Sequence, residues 1–211
     1  MLPRITLINP TRIAAPFDHA DFAFELKHDG FRAVAYIEAG ACHLVSRKSI
    51  TYKSFPALCT VLAGLGVRNA ILDGEIVSLD HNGRSQFLQL MHRRRADACF
   101  YAFDLLWHDG EDLRPLPLVE RKRRLRRLIK GRAGLLFAEQ IQGSGIELFQ
   151  AICARDIEGI ICKHRLGPYE ARPVTWFKIL NPGYTQKRGR KEMFDKFYER
   201  RAASPPNPSV R

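Results

Sequence analysis

Short apolar runs separated by turn residues follow one another along the first half of the chain. Residues 22–27, 31–38 and 42–46 are apolar or alternating, and Gly30 and Gly40 stand at the turns between them. This pattern predicts a meander of three β-strands. Apolar runs that each carry a charged residue predict further strands at residues 70–79, 98–107, 135–138, 158–163 and 174–180.

Four stretches have the spacing or the boundary residues of helices. The first, residues 54–66, begins at Ser54, a candidate cap, and ends at Gly66. The third, residues 117–130, combines an apolar stripe with a dense Arg/Lys face. We interpret this charged face as exposed to solvent, with nucleic-acid contact as the alternative. The predicted helices are residues 54–66, 85–92, 117–130 and 146–155. Because strands outnumber interspersed helices, we expect an α+β domain with antiparallel sheets flanked by helices.

Charge narrows the choice of partner. The 211 residues carry 34 Lys+Arg against 22 Asp+Glu, a formal net charge of +12, which favours a polyanion such as nucleic acid or nucleotide phosphates. No apolar stretch is long enough for a membrane span, and the N-terminus has no secretory pattern. The five cysteines form no CxxC pair, so we expect reduced thiols in a cytoplasmic protein and no zinc site.

Both ends differ from the centre of the chain. Residues 1–20 contain three prolines and are predicted to be an extended lead-in. Residues 184–202 are charged and predicted to be helical, and residues 203–211 are predicted to be a disordered tail. We therefore expect one domain at residues 1–182 and a basic C-terminal tail at residues 183–211.

Charged groups recur at or beside the predicted strands. Each motif alone is weak, because an Asp-Gly pair is an ordinary turn, a carboxylate can pair with an arginine, and an aromatic can be core. Together they place charges amid apolar residues, where burial is costly without a partner, and a shared ligand would satisfy them all. In order they are Lys27-His28-Asp29-Gly30, Ser46-Arg47, Asp73-Gly74-Glu75, Phe100-Tyr101-Ala102-Phe103-Asp104, Glu158-Gly159, Lys163 and Trp176-Phe177-Lys178.

This ordered set resembles the adenylation (nucleotidyltransferase) domain of ATP-dependent DNA ligases, of the bacterial end-joining type. The resemblance extends from residue 22 to residue 182. It implies an ATP-grasp-like fold and the joining of DNA strands in repair or recombination. It also implies ATP with Mg²⁺ or Mn²⁺ as cofactors and DNA with 5′-phosphate ends or nicks as partner.

The resemblance assigns roles to ten residues. Lys27 is the implied nucleophile that accepts AMP, and Glu25 the implied contact to adenine. Glu75 is implied to bind the ribose hydroxyls. Phe103 is implied to stack on adenine, with Ile161 on the opposite face of the base.

The other assigned residues concern phosphates and metal. Arg32 and Arg47 are implied to hold the nucleotide and the DNA 5′-phosphate, and Lys163 and Lys178 the nucleotide phosphates. Glu158 is the implied metal-supporting carboxylate. The chemistry of the nucleophile calls for such cations. A nucleophilic lysine must be neutral, but with an ordinary pKa of about 10.4 only about one part per thousand is neutral at pH 7.5. Neighbouring cations favour the neutral nucleophile and offset charge on the phosphate.

Two features depart from the family pattern. The last motif normally carries lysines two residues apart, but Leu180 stands at the second position. Lys187 or Arg188 is a candidate replacement. Residues 181–211 are also too few for the OB-fold of such ligases, so an end-joining or OB-fold protein is a candidate partner. The alternatives are an RNA ligase or capping-type enzyme, a non-catalytic nucleotide- or DNA-binding remnant, and a repair scaffold.

Overall fold

The computed structural model describes residues 2–91 and 97–187. The strands are β1 Thr11–Arg12, β2 His19–Lys27, β3 Phe31–Glu38, β4 Ala41–Ser46, β5 Asn69–Val77, β6 Cys99–His108, β7 Glu111–Asp112, β8 Leu135–Phe137, β9 Gln140–Gly143, β10 Gly159–His164 and β11 Trp176–Leu180. The helices are α1 Pro56–Ala63, α2 Phe87–Met91, α3 Leu118–Ile129 and α4 Gly145–Ala154. None of these helices is both long enough and apolar enough to cross a membrane.

The strands form two sheets. The first has the order β1-β11-β10-β2-β9, and the second has the order β4-β3-β5-β6-β7, with β8 beside β6. All pairs are antiparallel except β1–β11 and β6–β8. The turn at residues 28–30 carries the chain from β2 in the first sheet to β3 in the second. The predicted α+β class with antiparallel sheets is confirmed.

Each sheet buries one face under helices. On the first sheet, Phe24, Ile160 and Ile179 pack with Ile152 of α4. The second sheet packs against α1 and α3 in the largest core cluster. The other faces of the two sheets meet in a separate cluster, where Val34, Ile71 and Leu106 of the second sheet pack with Trp176 of the first. That arrangement leaves a cleft between the sheets.

Most predicted elements lie within a few residues of the observed ones, but several details were wrong. Ser54 does not cap α1, because the helix starts at Pro56 and no side chain bonds its first turn. The short strands β1, β7 and β9 were not predicted. The predicted helix at 184–202 is described only as far as Lys187, and the rest of it, with the tail, lies outside the described residues.

Candidate active site

A cavity of about 540 Å³ lies between the two sheets. Small-molecule sites have volumes in this range, roughly 300–1,000 Å³. All ten residues assigned above line it: Glu25, Lys27, Arg32, Arg47, Glu75, Phe103, Glu158, Ile161, Lys163 and Lys178. The structure therefore brings the whole predicted set together, although their individual roles stay predictions.

Lys27 ends β2 and points at the residue that precedes β10. Its Nζ donates a hydrogen bond to Oε2 of Glu158 at 2.5 Å. The two meet because Lys27 pairs with Gly159 across the antiparallel strands. Both side chains keep some exposure to the cavity, so a bound ligand can reach the amine.

The first sheet presents a row of side chains to the cavity. Glu25 pairs with Ile161, and Ile161 pairs with Lys178 on the next strand. Residues in register on neighbouring strands project from the same face. The row thus changes from a buried carboxylate, through an apolar surface, to a cation near the opening.

The Glu25 carboxylate is shared by two buried lysines. Lys122 of α3 donates to Oε1 at 2.7 Å, and Lys163 of β10 lies 2.7 Å from Oε2. The three side chains are only 1–2% exposed. Burial lowers the pKa of Lys163 to about 8, against the opposing charge of Glu25. Glu25, the predicted contact to adenine, and Lys163, a predicted contact to phosphate, are therefore paired with each other.

Arg32 is held by a second buried carboxylate. Its guanidinium donates two hydrogen bonds to Asp73, at 3.1 and 2.6 Å, and one to the carbonyl of Ile8 at 2.7 Å. The hydroxyl of Tyr169 also donates to Asp73 at 2.6 Å. The charge of Asp73 raises the pKa of Arg32 above its ordinary value, although burial opposes this. Arg32 is a fixed cation in the wall of the cavity.

Phe103 of β6 offers a half-buried ring to the cavity, facing the sheet that carries Ile161. Its centroid is 5.3 Å from the guanidinium carbon of Arg32 and 4.5 Å from Nζ of Lys163. Trp176 meets it edge-on, with centroids 6.0 Å apart. The ring is therefore held in place on several sides, which suits a stacking surface.

Glu75 of β5 pairs in register with Arg32 and Tyr101. Burial raises its pKa to about 8, assisted by Glu158 and Asp29 and opposed by Lys27 and Arg32. The carboxyl group is therefore largely protonated at neutral pH. A protonated carboxyl both donates and accepts hydrogen bonds, so it can pair with hydroxyl groups in either direction.

The opening of the cavity is basic. Arg47, in the turn after β4, and Lys48 are exposed and line it. Leu180 also lines the cavity, so the unusual residue faces the site. Lys187, one candidate replacement, does not line it, and Arg188 lies outside the described residues.

The basic face of α3 is largely paired with carboxylates. Arg123 and Arg124 bind Glu120, and Arg124 also binds Glu111. Arg126 binds Glu139 at 2.7 Å. These pairs favour the solvated interpretation of this face over nucleic-acid contact.

Sequence reasoning missed the residues that brace the site from behind. Lys122 holds Glu25, and its neighbour Arg121 is fully buried against Asp104 at 2.8 and 2.9 Å. A signal existed, because Arg121 and Lys122 lie between Leu118 and Leu125 on the apolar stripe of the helix. A cation on that stripe needs a buried partner.

Two antiparallel sheets with a lysine-centred cleft are the fold of a nucleotidyltransferase domain. The sequence model of the family described as ATP dependent DNA ligase domain matches residues 5–179. The chain belongs to this family, and it is an adenylation domain of the ATP-dependent DNA ligase type.

Two curated relatives illustrate the similarity. The multifunctional non-homologous end joining protein LigD of Pseudomonas aeruginosa is 35% identical over 185 residues, which cover 80% of this chain and 22% of that protein. The SPbeta prophage-derived DNA ligase-like protein LigB of Bacillus subtilis is 30% identical over 183 residues, 82% of this chain and 66% of that protein. The chain thus spans less than a quarter of that LigD protein.

Solved structures agree. The ligase domain of M. tuberculosis LigD has a TM-score of 0.70 at 30% identity, covering 82% of this chain and 60% of that one. A mycobacterial DNA ligase D complexed with ATP and MES has a TM-score of 0.67 at 29% identity, covering 81% and 60%. One of these relatives is named as a DNA ligase and another as DNA ligase-like, and none of the four is named as an RNA ligase or a capping enzyme.

Proposed function

We propose that this domain transfers AMP from ATP to Lys27 and then to a DNA 5′-phosphate, so that two strands can be joined during repair or recombination. The observation that carries the proposal is the contact between Lys27 Nζ and Glu158 Oε2 within a cavity that all ten assigned residues line. The similarity to a non-homologous end joining protein and to a mycobacterial DNA ligase D supports the choice of DNA.

In the first step Lys27 Nζ attacks the α-phosphorus of ATP. The new bond joins nitrogen to phosphorus, the bond to the bridging oxygen of the β-phosphate breaks, and pyrophosphate leaves. The amine must first release a proton, and Glu158 Oε2 already accepts a hydrogen bond from it. Arg47 and Lys178, which line the cavity, offset the charge that develops on the leaving group.

In the second step an oxygen of the DNA 5′-phosphate attacks the same phosphorus and releases Lys27. A 3′-hydroxyl then attacks the DNA 5′-phosphate and expels AMP. Arg47 is exposed at the opening of the cavity and suits the DNA phosphate. Arg32 is braced by Asp73 and suits a fixed contact to the nucleotide.

The carboxylates fit a role for Mg²⁺ or Mn²⁺. Mg²⁺ is usually bound through one or two carboxylates and the substrate phosphates rather than by an all-protein cage. No cluster of three or more metal-ligating side chains occurs among residues 2–91 and 97–187, and Glu158 is the carboxylate beside Lys27. When bound, the ion would offset negative charge on the phosphates.

The same proposal includes the domain organisation, the substrate, the cellular location and the partner of the protein. Residues 1–182 form the adenylation domain, supported by the family match to residues 5–179, and residues 183–211 form a basic extension. The substrate is DNA with 5′-phosphate ends or nicks, in the cytoplasm at the nucleoid. An end-joining or OB-fold protein is the proposed partner.

Incubation with α-labelled ATP and Mg²⁺ tests the first step. Covalent label is expected on the unaltered protein and absent from Lys27→Ala. Lys130→Ala is a matched control, since Lys130 is exposed and does not line the cavity. Absence of label even with Mn²⁺ and excess protein would contradict the proposal and favour the binding or scaffold alternatives. Nick sealing on matched DNA and RNA duplexes distinguishes a DNA ligase from an RNA ligase.

A further inference from the structure

The edge strand β1, which directly follows the cavity-lining residues Asn9 and Pro10, places an unassigned arginine next to Lys178. Arg12 pairs in parallel register with Lys178 of β11, and the amide of Ile13 donates to the carbonyl of Lys178 at 3.1 Å. Residues in register project from the same face. Because Lys178 lines the cavity, Arg12 emerges on the cavity side of the sheet.

The surroundings of Arg12 are cationic. The pKa of Lys178 is lowered by burial and by the charges of Lys27, Arg47 and Arg12, with Glu158 opposing. Arg12 is exposed, and within the described part of the chain no carboxylate forms an ion pair with it. The arginines on α3 differ in this respect, since Arg123, Arg124 and Arg126 have glutamate partners.

Position 180 explains why an additional cation would be useful. Leu180 lies in register with Gly159, which pairs with Lys27 on its other side. Because side chains alternate along a strand, Leu180 faces the same side of the sheet as Lys178, which lies two residues before it and about 6.7 Å away along the strand. Arg12 lies about 4.8 Å across the sheet from Lys178, so a long side chain from β1 can approach the space beside Leu180.

We propose that Arg12 binds a phosphate group beside Leu180, supplying from β1 the cation that β11 does not provide at that position. The inference rests on the proposed function. The ligand chemistry is a phosphate oxygen, which the planar guanidinium can bind with two donors. It belongs either to the polyphosphate of ATP or to the DNA end.

The two sources are separated by measuring two steps with Arg12→Gln. One assay follows labelling of Lys27 as a function of ATP concentration. The other follows AMP transfer from the pre-adenylated protein to nicked DNA in a single turnover. We expect a loss of about tenfold in labelling if the phosphate is that of ATP, and in transfer if it is that of DNA. Arg127→Gln is the matched control, because Arg127 is exposed on α3 and away from the cavity.

Rates equal to those of the control in both steps would overturn the inference. The double variant Arg12→Gln/Leu180→Lys tests whether the two positions serve one phosphate. Recovery of the impaired step supports this, and no recovery overturns it. Thermal unfolding of Arg12→Gln is expected to match the unaltered protein, because the side chain is exposed.

Failure of the proposed function is recognised separately. If the unaltered protein takes no label, binding of ATP and of 5′-phosphorylated nicked DNA is measured by titration calorimetry. Arg12→Gln is then expected to weaken binding of one of these two ligands about tenfold relative to Arg127→Gln. Equal affinities for both ligands would reject the role of Arg12.

Discussion

Lys27 and Glu158 lie 131 residues apart in the chain, and Lys27 Nζ is 2.5 Å from Glu158 Oε2. The contact depends on Gly159, which pairs with Lys27 and directly follows Glu158. A Cβ atom at Gly159 would collide with the carbonyl oxygen of Ile179 on β11. The absence of a side chain at Gly159 thus allows β2, β10 and β11 to approach closely at this point, which places the Glu158 carboxylate beside the amine of Lys27.

Replacing Glu158 with glutamine is expected to slow labelling of Lys27 about a hundredfold, because the amide keeps the shape but cannot accept the proton or support a cation. Glu139→Gln is the control, since Glu139 is an exposed partner of Arg126. The measurement is the initial rate of label incorporation with Mg²⁺. Labelling by Glu158→Gln at the control rate would remove Glu158 from the mechanism.

The carboxylate of Glu25, in the wall of the cavity, is expected to contribute strongly to the stability of the fold. Glu25→Gln removes the carboxylate that is paired directly with the buried Lys122 and Lys163, and we expect it to lower the free energy of unfolding by about 3–5 kcal/mol. Lys122→Met should cost less, because Glu25 keeps Lys163 at 2.7 Å. Urea denaturation measures both effects.

The exposed pair Arg126–Glu139 provides the comparison for this network. Arg126→Met is expected to change the free energy of unfolding by less than about 1 kcal/mol. If Glu25→Gln were no more harmful than Arg126→Met, the buried lysines would not depend on this carboxylate.

Glu75 predicts a pH dependence of stability. Burial raises its pKa to about 8 in the folded chain, so between pH 4.5 and 8 the folded state retains a proton that the unfolded state releases. The stabilisation is present in full below pH 4.5 and is lost as the pH rises through 8. Relative to Glu75→Gln, the unaltered protein should lose about 1–3 kcal/mol between pH 5 and pH 8. Parallel stability curves from urea titrations at several pH values would contradict the raised pKa.

The regular elements could be predicted because their patterns are local. The amphipathic spacing of residues 117–130 predicted α3 to within one residue at each end. The two-residue strands β1 and β7 and the four-residue strand β9 are too short for a periodic signal. β1 and β9 form by pairing with the distant strands β11 and β2, which no local pattern specifies. β7 is instead the short return strand of a tight hairpin from β6.

The candidate site divides in the same way. The residues that line the cavity could be predicted because their order along the chain resembles a known family. The residues behind them could not, since Lys122 lies 97 positions from Glu25. Its charge was interpreted as part of a solvated face, although its position on the apolar stripe already indicated burial.

Gly30 links stability to the position of the nucleophile. A Cβ atom there would collide with the carbonyl oxygen of Ile76 and lie 2.9 Å from Cγ of Glu75. Gly30→Ala is therefore expected to push the turn after Lys27 away from β5, at a cost of about 1–3 kcal/mol. Because the turn carries Lys27, the rate of labelling per folded molecule should fall as well.

Gly40→Ala separates the two effects. Gly40 has a φ of +73° and open space around it, so alanine there costs about 1 kcal/mol through backbone strain alone. The site lies in the β3–β4 hairpin and does not line the cavity. We expect Gly40→Ala to lower stability while labelling per folded molecule is unchanged. If Gly30→Ala behaved in the same way, close approach of the turn to β5 would matter for folding but not for placing the amine of Lys27.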